Sequence, residues 1–227
     1  MVSHSIGGPV VLVSKSPRRR DLISKLGIPV RYCESQLRED DPREDEMAES
    51  YVLRMAKYKV DEVSNLARTS IGLIGSDTVV VNGKNILRKP TDPRDAMDML
   101  KDLRGKLHRI VTGINVKVGP SGHHLSRVMS TKVAMRNYST DEIRRYVSTG
   151  DPLDKAGGYG IQNARFRPVR DIEGCYTGAM GLPLCSLVQM LKVTTSILFD
   201  KSDLENIERY SCQYRNCRIA SYKEPVS

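Results

Sequence analysis

Hydrophobic positions come in short runs separated by polar turns. Val10 to Val13 is four aliphatic residues between Gly7-Gly8-Pro9 and Ser14-Lys15-Ser16-Pro17, which predicts a short buried strand. Behind it Leu22, Ile23 and Leu26 recur at helical spacing, with Ser16 as N-cap, Pro17 at the first helical position and Gly27 as the stop. Val30 to Cys33 reads as a second strand, followed by the polar, acidic stretch LREDDPREDEMAE. Val52, Met55, Ala56, Val60 and Val63 then mark one apolar stripe of a helix, leaving Lys57 and Lys59 on other faces. Residues 71–81 predict a compact strand that turns at Asn82-Gly83 into a short partner ending at Leu87. Asp92 and Pro93 open a helix carrying Ala96, Met99, Leu100 and Leu103 inward and stopping at Gly105. Two alternating segments, 108–118 and 124–136, read as long strands paired across a turn at 119–122, and 139–150 as a helix capped at Ser139 or Thr140. Residues 183–193 read as a further helix before a charged, partly helical tail from Lys201. Alternating helices and strands with two long antiparallel candidates predict an α/β fold with a mixed sheet, in one domain over 1–227.

Three places resist this pattern. The first turn of the first helix carries Arg18, Arg19 and Arg20, where the free N–H groups and partial positive charge of a helix N-terminus favour acids over arginine unless an anion binds there. Neighbouring helix residues cannot all face one ligand, so Arg18 is the best placed and Arg20 is expected to be solvated. Asp77 interrupts the apolar run of the central strand, which is costly unless the carboxylate meets a metal, a cation or backbone donors. Finally, DPLDKAGGYGIQ, residues 151–162, has the length and composition of a binding loop.

Composition narrows the ligand. Hydrophobic residues at 39% and charged residues at 28% are ordinary for a folded soluble chain of 227 residues, and a net charge of +9 favours an anionic partner. Tryptophan is absent and phenylalanine occurs twice, a poor supply for stacking single-stranded nucleic acid. The five dispersed cysteines suit a reducing compartment better than a disulfide framework, and Cys212 with Cys217 lacks the further ligands of a zinc site. No apolar run approaches the ~18 residues of a membrane span, and the first residues lack the pattern of a signal peptide, so a cytoplasmic protein without a membrane partner is expected. There is no GxxxxGK[ST] or GxGxxG loop and no Ser–His–Asp arrangement. The set Arg18, Arg19, Arg20, Lys59, Asp77, Lys89, Asp154, Lys155 and Gln162, all near element ends, instead has the cations and carboxylates that a triphosphate with Mg²⁺ requires.

Taken together, SKSPRRRDLISKLG, GSDTVVVNGKNILRKPTD, GKLHRIVTG, DPLDKAGGYGIQ and GLPL resemble, in order and spacing, the Maf family of nucleoside triphosphate pyrophosphatases, over about residues 10–191. The resemblance implies an elongated, two-lobed α/β fold with a mixed sheet, like that of the inosine triphosphate pyrophosphatases. It implies hydrolysis between the α- and β-phosphates, giving a monophosphate and pyrophosphate with Mg²⁺, Mn²⁺ or Co²⁺. Carried over by motif, Arg18 binds phosphate with Ser14 and Ser16 shaping its loop, Arg19 assists, and Lys59 and Lys89 are further phosphate cations. Asp77 is the metal-binding or water-activating carboxylate, Thr78 lies beside the nucleotide, and Lys155 and Gln162 belong to the substrate-binding set. The DKAGGYGIQ form resembles the branch acting on dTTP and UTP, whereas the branch that includes 7-methyl-GTP among its substrates usually has a tryptophan in the SPRR segment. Gln162 can both donate to and accept from a pyrimidine edge. Family members are often dimers, so a homodimer is among the implied partners, and nucleic acid is not.

Two departures stand out: NARF follows Gln162 where the family usually has a glycine-rich continuation, and Ser76 replaces the commoner alanine before Asp77. The tail beyond about residue 196 has no clear family counterpart. The rival expectations are a basic nucleic-acid-binding protein, which would bind salt-sensitively without turnover, and an inactive family member regulating cell division.

Overall fold

The structure, a computed structural model, describes residues 8–36, 40–118, 122–195 and 201–210. The expectations for the first seven residues, for 119–121 of the long turn and for Cys212 with Cys217 lie outside the described residues. Strand β1 (Val10–Val13), buried throughout, runs parallel to both its neighbours, β2 (Val30–Cys33) and β3 (Gly72–Asn82). At the predicted Asn82-Gly83 turn β3 folds back into the short antiparallel β4 (Asn85–Leu87). On its other side β3 pairs antiparallel with β5 (Leu107–Val118), β5 with β6 (His123–Met135), and β6 with β7 (Val169–Glu173). The resulting seven-stranded mixed sheet has the order β2-β1-β3-β5-β6-β7, with β4 beside β3.

The helices are α1 (Pro17–Ser24), α2 (Ala48–Glu62), α3 (Pro93–Leu103), α4 (Thr140–Val147), α5 (Tyr176–Ala179), α6 (Leu184–Thr195) and α7 (Lys201–Arg209). The Asp92 side chain caps α3 by accepting from the N–H groups of Arg94 and Asp95, and Ser139 and Glu142 form a reciprocal capping box on α4. At α1 the expected cap differs. Ser16 has the extended backbone of an N-cap, but its side chain makes no capping bond, and its own N–H donates instead to Ser14 Oγ at 3.1 Å. The five residues of β7 and four of α5 were not predicted: the two apolar residues of β7, Val169 and Ile172, stand three apart and not two, and α5 contains Gly178.

The apolar interior divides in a way that fits two lobes. One cluster gathers β1, α1, α6 and the end of β3 and β5 that holds Ile74, Ile114 and Val116. A second gathers α3, α4, Tyr159 and Phe166 around Val80 and Ile110 from the other end of the same two strands. Ser76, Asp77 and Thr78 fall between these clusters on β3. Helix α2 crosses the middle of the sheet on two glycines. A Cβ on Gly75 would stand 2.2 Å from Ala56 O, and one on Gly113 would stand 2.6 Å from the Val52 carbonyl carbon. Only hydrogen fits at these points, and the helix backbone therefore lies directly on the strands.

Candidate active site

The close approach of α2 brings a second charge to Asp77. Lys59, which the apolar spacing left on another face of α2, is buried, and its Nζ donates to Asp77 Oδ1 at 2.6 Å and to Ser76 O at 3.4 Å. Both side chains are 7% exposed. Burying either charge alone would cost several kcal/mol, so each accounts for the other's place in the interior. The pair opens onto a cleft of about 980 Å³ whose wall also includes Ser14, Ser16, Arg18, Arg19, Thr78, Lys89, Lys155 and Gln162.

Successive residues of α1 leave the helix about 100° apart, so the three arginines diverge. Arg18 reaches across the cleft to Asp154 Oδ2 at 2.9 Å and faces the Asp154 carbonyl at 3.3 Å. Arg19 Nε donates to Gly181 O at 2.8 Å and its Nη2 to Thr78 Oγ1 at 3.1 Å. Since Thr112 Oγ1 gives its proton to Gly178 O, the 3.0 Å contact between the two threonine hydroxyls has Thr78 as donor. Arg19 thus anchors the turn around α5 to the middle of β3. Arg20 is not simply solvated as expected. It donates through Nε and Nη2 to Ser14 O, pairs with Glu34 at 3.3 Å and lies over the Tyr32 ring at 5.3 Å, tying the end of β1 to β2.

Residues 151–162 fold as two short 3-10 turns, Asp151–Asp154 and Ala156–Gly158. Lys155 lines the cleft, yet its ammonium donates to Asp151 O at 2.6 Å, Asp151 Oδ1 at 2.8 Å and Asp154 Oδ1 at 2.6 Å. Three N–H groups meet three acceptors here. Burial opposes ionisation of Asp154, but the Lys155 hydrogen bond and the Arg18 charge outweigh it and hold the carboxyl below its ordinary range. Asp151 is held low in the same way, burial being outweighed by hydrogen bonds from Lys155 and Tyr146. The NARF departure folds back on the same turn. Asn163 donates to Asp151 Oδ2 at 3.1 Å and accepts from the N–H groups of Arg165 and Phe166, while the Phe166 ring stacks on Tyr146 at 4.2 Å. Beneath Gly160 and Gln162 lies Tyr159, whose hydroxyl is 2.5 Å from His108 Nε2. Burial pulls His108 down to about 4, so its ring is neutral at ordinary pH, and its buried Nδ1 has no partner among the described residues.

Lys89 is exposed at the cleft wall and makes no ion pair among the described residues. Sequence reasoning missed several residues of this wall. Asp40, Asp41 and Arg88 line it, with Arg88 paired to Asp41, and the Tyr51 hydroxyl donates to Asp40 O at 2.9 Å. The acidic run from 37 to 49 contained both carboxylates, but a run without period does not say which members turn inward. Ser76 also acquires a function: its Oγ lies 2.9 Å from Gly113 O and 2.8 Å from Gly181 O, so one hydroxyl links β3, β5 and the turn that Arg19 holds.

No group of three or more His, Cys, Asp or Glu side chains among the described residues is arranged to hold a metal ion. One buried carboxylate beside a cleft lined by cations still suits a Mg²⁺-type ion. Such ions use one or two protein carboxylates and take their other ligands from water and substrate phosphates. No helix among the described residues is long and apolar enough to cross a membrane.

Similarity to known proteins covers most of the chain. A dTTP/UTP pyrophosphatase of Dictyoglomus thermophilum is 40% identical over 182 residues, 80% of this chain and 94% of that protein. The corresponding protein of Dictyoglomus turgidum is 41% identical over the same shares, and that of Dehalococcoides mccartyi 37% identical over 81% of each chain. Among solved structures, a HAM1 protein from Coxiella burnetii gives a TM-score of 0.36 at 9% identity over 58% of this chain and 74% of that chain, too slight a likeness to carry weight. The family model described as Maf-like protein matches residues 9–194, and with these relatives it shows that the chain belongs to the Maf family.

Proposed function

We propose that the protein hydrolyses dTTP and UTP to the nucleoside monophosphate and pyrophosphate. The observation that carries this reading is the convergence of Arg18, Lys59, Lys89 and Asp77 on one cleft with Gln162 at its wall, in a chain whose relatives are named for that activity. Arg18 and Lys89 bind the phosphates, offering a planar fork and a mobile point charge. Lys59 fixes the direction of the Asp77 carboxylate through the 2.6 Å contact at Oδ1. Oδ2 lies outside that pair and accepts the proton of a water attacking the α-phosphorus in line with the departing pyrophosphate. Arg18 and Lys89 then offset the charge that develops on the leaving group. A divalent cation held by Asp77 and the substrate phosphates would supply Lewis-acid polarisation there. Gln162 reads the pyrimidine edge, and Ser14, Ser16, Arg19 and Thr78 hold the walls in place.

The net charge of +9 already counts every carboxylate, so a nucleic-acid-binding reading turns on whether unbalanced cations form an outer patch. Outer cations such as Lys25, Lys101, Lys106 and Arg144 each face a carboxylate within one helical turn of sequence. The test is pyrophosphate release by the full chain from a panel of nucleoside triphosphates with Mg²⁺, Mn²⁺ or Co²⁺. dTTP and UTP should be the fastest substrates, and excess EDTA should abolish turnover while moving Tm by less than about 2 °C, because the cation is shared with substrate and contributes little to the free fold. Release from none of the nucleotides would overturn the reading.

A further inference from the structure

A continuous run of charge-assisted hydrogen bonds joins the two ends of the cleft, and none of the steps above uses it. At the Gln162 end, Asn163 Nδ2 donates to Asp151 Oδ2 at 3.1 Å. The Tyr146 hydroxyl donates to the same oxygen at 2.7 Å while accepting the Gly160 N–H at 3.2 Å, which fixes the backbone two residues before Gln162. Asp151 passes the contact to Lys155, Lys155 to Asp154 Oδ1, and Asp154 Oδ2 to Arg18. Lys155 is 7% exposed on its side chain and has all three protons committed, so it stands as an internal link and not as a phosphate ligand. Asp154 touches cations from both sides, one on its own turn and one 136 residues away in the chain.

We propose that Asp154 is a positioning residue for Arg18, and that the chain Asn163–Asp151–Lys155–Asp154 couples seating of a pyrimidine base beside Gln162 to placement of the Arg18 guanidinium on the phosphates. This rests on the nucleotide-hydrolysis reading above. A guanidinium has five N–H groups in a rigid fork, so Arg18 can keep Asp154 on one edge and offer other donors to phosphate. With that edge held, little rotational freedom remains to be lost when the triphosphate binds. A base that fits fixes residues 160–163, and through them the Asp151–Asp154 turn and Arg18. A base that does not fit leaves the turn displaced and the guanidinium out of line. Discrimination then falls on kcat, because the misplacement is felt at the charge developing in the transition state.

Steady-state kinetics on UTP and CTP, which differ at the base edge, test the coupling. D154N should lower kcat on UTP about tenfold and on CTP less than about threefold, the scale of one lost charge-assisted bond, with the ratio of KM values unchanged. D154E should restore part of the loss, which a purely steric role would not allow. N163G cuts the chain at the base end and leaves the Asp154–Arg18 pair intact. It should narrow the UTP-to-CTP kcat ratio alone and add nothing in the D154N background. Equal loss on both nucleotides, an effect confined to KM, or independent effects of the two variants would overturn the proposal. If D154N fails to fold, N163G with and without D154E decides on the same ratio. A wild type that turns over neither nucleotide overturns the activity reading and the coupling with it. A selective wild type whose variants keep its ratio overturns the coupling alone.

Discussion

Lys59 and Asp77 are oppositely charged side chains that are both buried, and they meet at 2.6 Å. Removing one partner therefore acts on folding as well as on chemistry. D77N should abolish turnover and also lower stability by about 3 kcal/mol, since it takes the carboxylate at 2.6 Å away from a buried ammonium. The double variant K59M/D77N should regain much of that stability and none of the activity, because an uncharged pair needs no compensation. Urea titrations beside kcat measurements check this, and a double variant no more stable than D77N would show that the pair's geometry, not its charge balance, matters. The sequence marked Asp77 as anomalous, since an acid breaking an apolar strand is visible in one dimension. The stripe of Val52, Met55, Ala56 and Val60 left Lys59 on another face and only the resemblance brought it to the site, because its burial against Asp77 is set by a carboxylate 18 residues on.

At the scale of elements, the site depends on how closely α2 lies on β3 and β5. The approach is set by Gly75 and Gly113, against which the Ala56 and Val52 carbonyl groups rest. G113A would put a methyl carbon 2.6 Å from helix backbone that has no rotamer with which to yield. We expect a loss of about 3 kcal/mol, as for overpacking at a rigid contact, together with a fall in kcat as α2 lifts and Lys59 draws away from Asp77. Thermal unfolding and kinetics on the same sample check both, and a Tm within about 1 °C of wild type would refute the tight contact. The strands and helices themselves were largely legible, down to the Asn82-Gly83 turn and the Asp92 and Ser139 caps, since these rest on local chemistry. The exception at Ser16 is instructive: its hydroxyl makes no capping bond, and its N–H turns back to Ser14, which tightens the loop bearing Arg18.

For the molecule as a whole, His108 sets a pH limit. Buried against Tyr159 it titrates at about 4, whereas in the unfolded chain it returns to the ordinary 6.5. As pH falls from 6.5 towards 4 the unfolded chain takes up the proton first, so stability present above pH 6.5 is lost through this window, by roughly 3 kcal/mol for this group alone. H108Q should flatten the fall in Tm between pH 7 and 5; an unchanged slope would assign the loss to other groups. The same histidine shows where one-dimensional reading stops. Its strand position was legible, but its contact with Tyr159, 51 residues on, was not. What the amino-acid order determined by itself was local: which stretches alternate, which residues cap, and which charges stand where a folded chain ordinarily tolerates none. Those signals follow from propensity and desolvation, which act on a residue and its near neighbours. Which charges meet was decided by the tertiary structure alone. Arg18 faces Asp154 across 136 residues, Lys155 turns inward, Arg20 joins two strands and Ser76 bridges to Gly181, because Coulomb and hydrogen-bond energies depend on distance in space and the sheet order sets those distances.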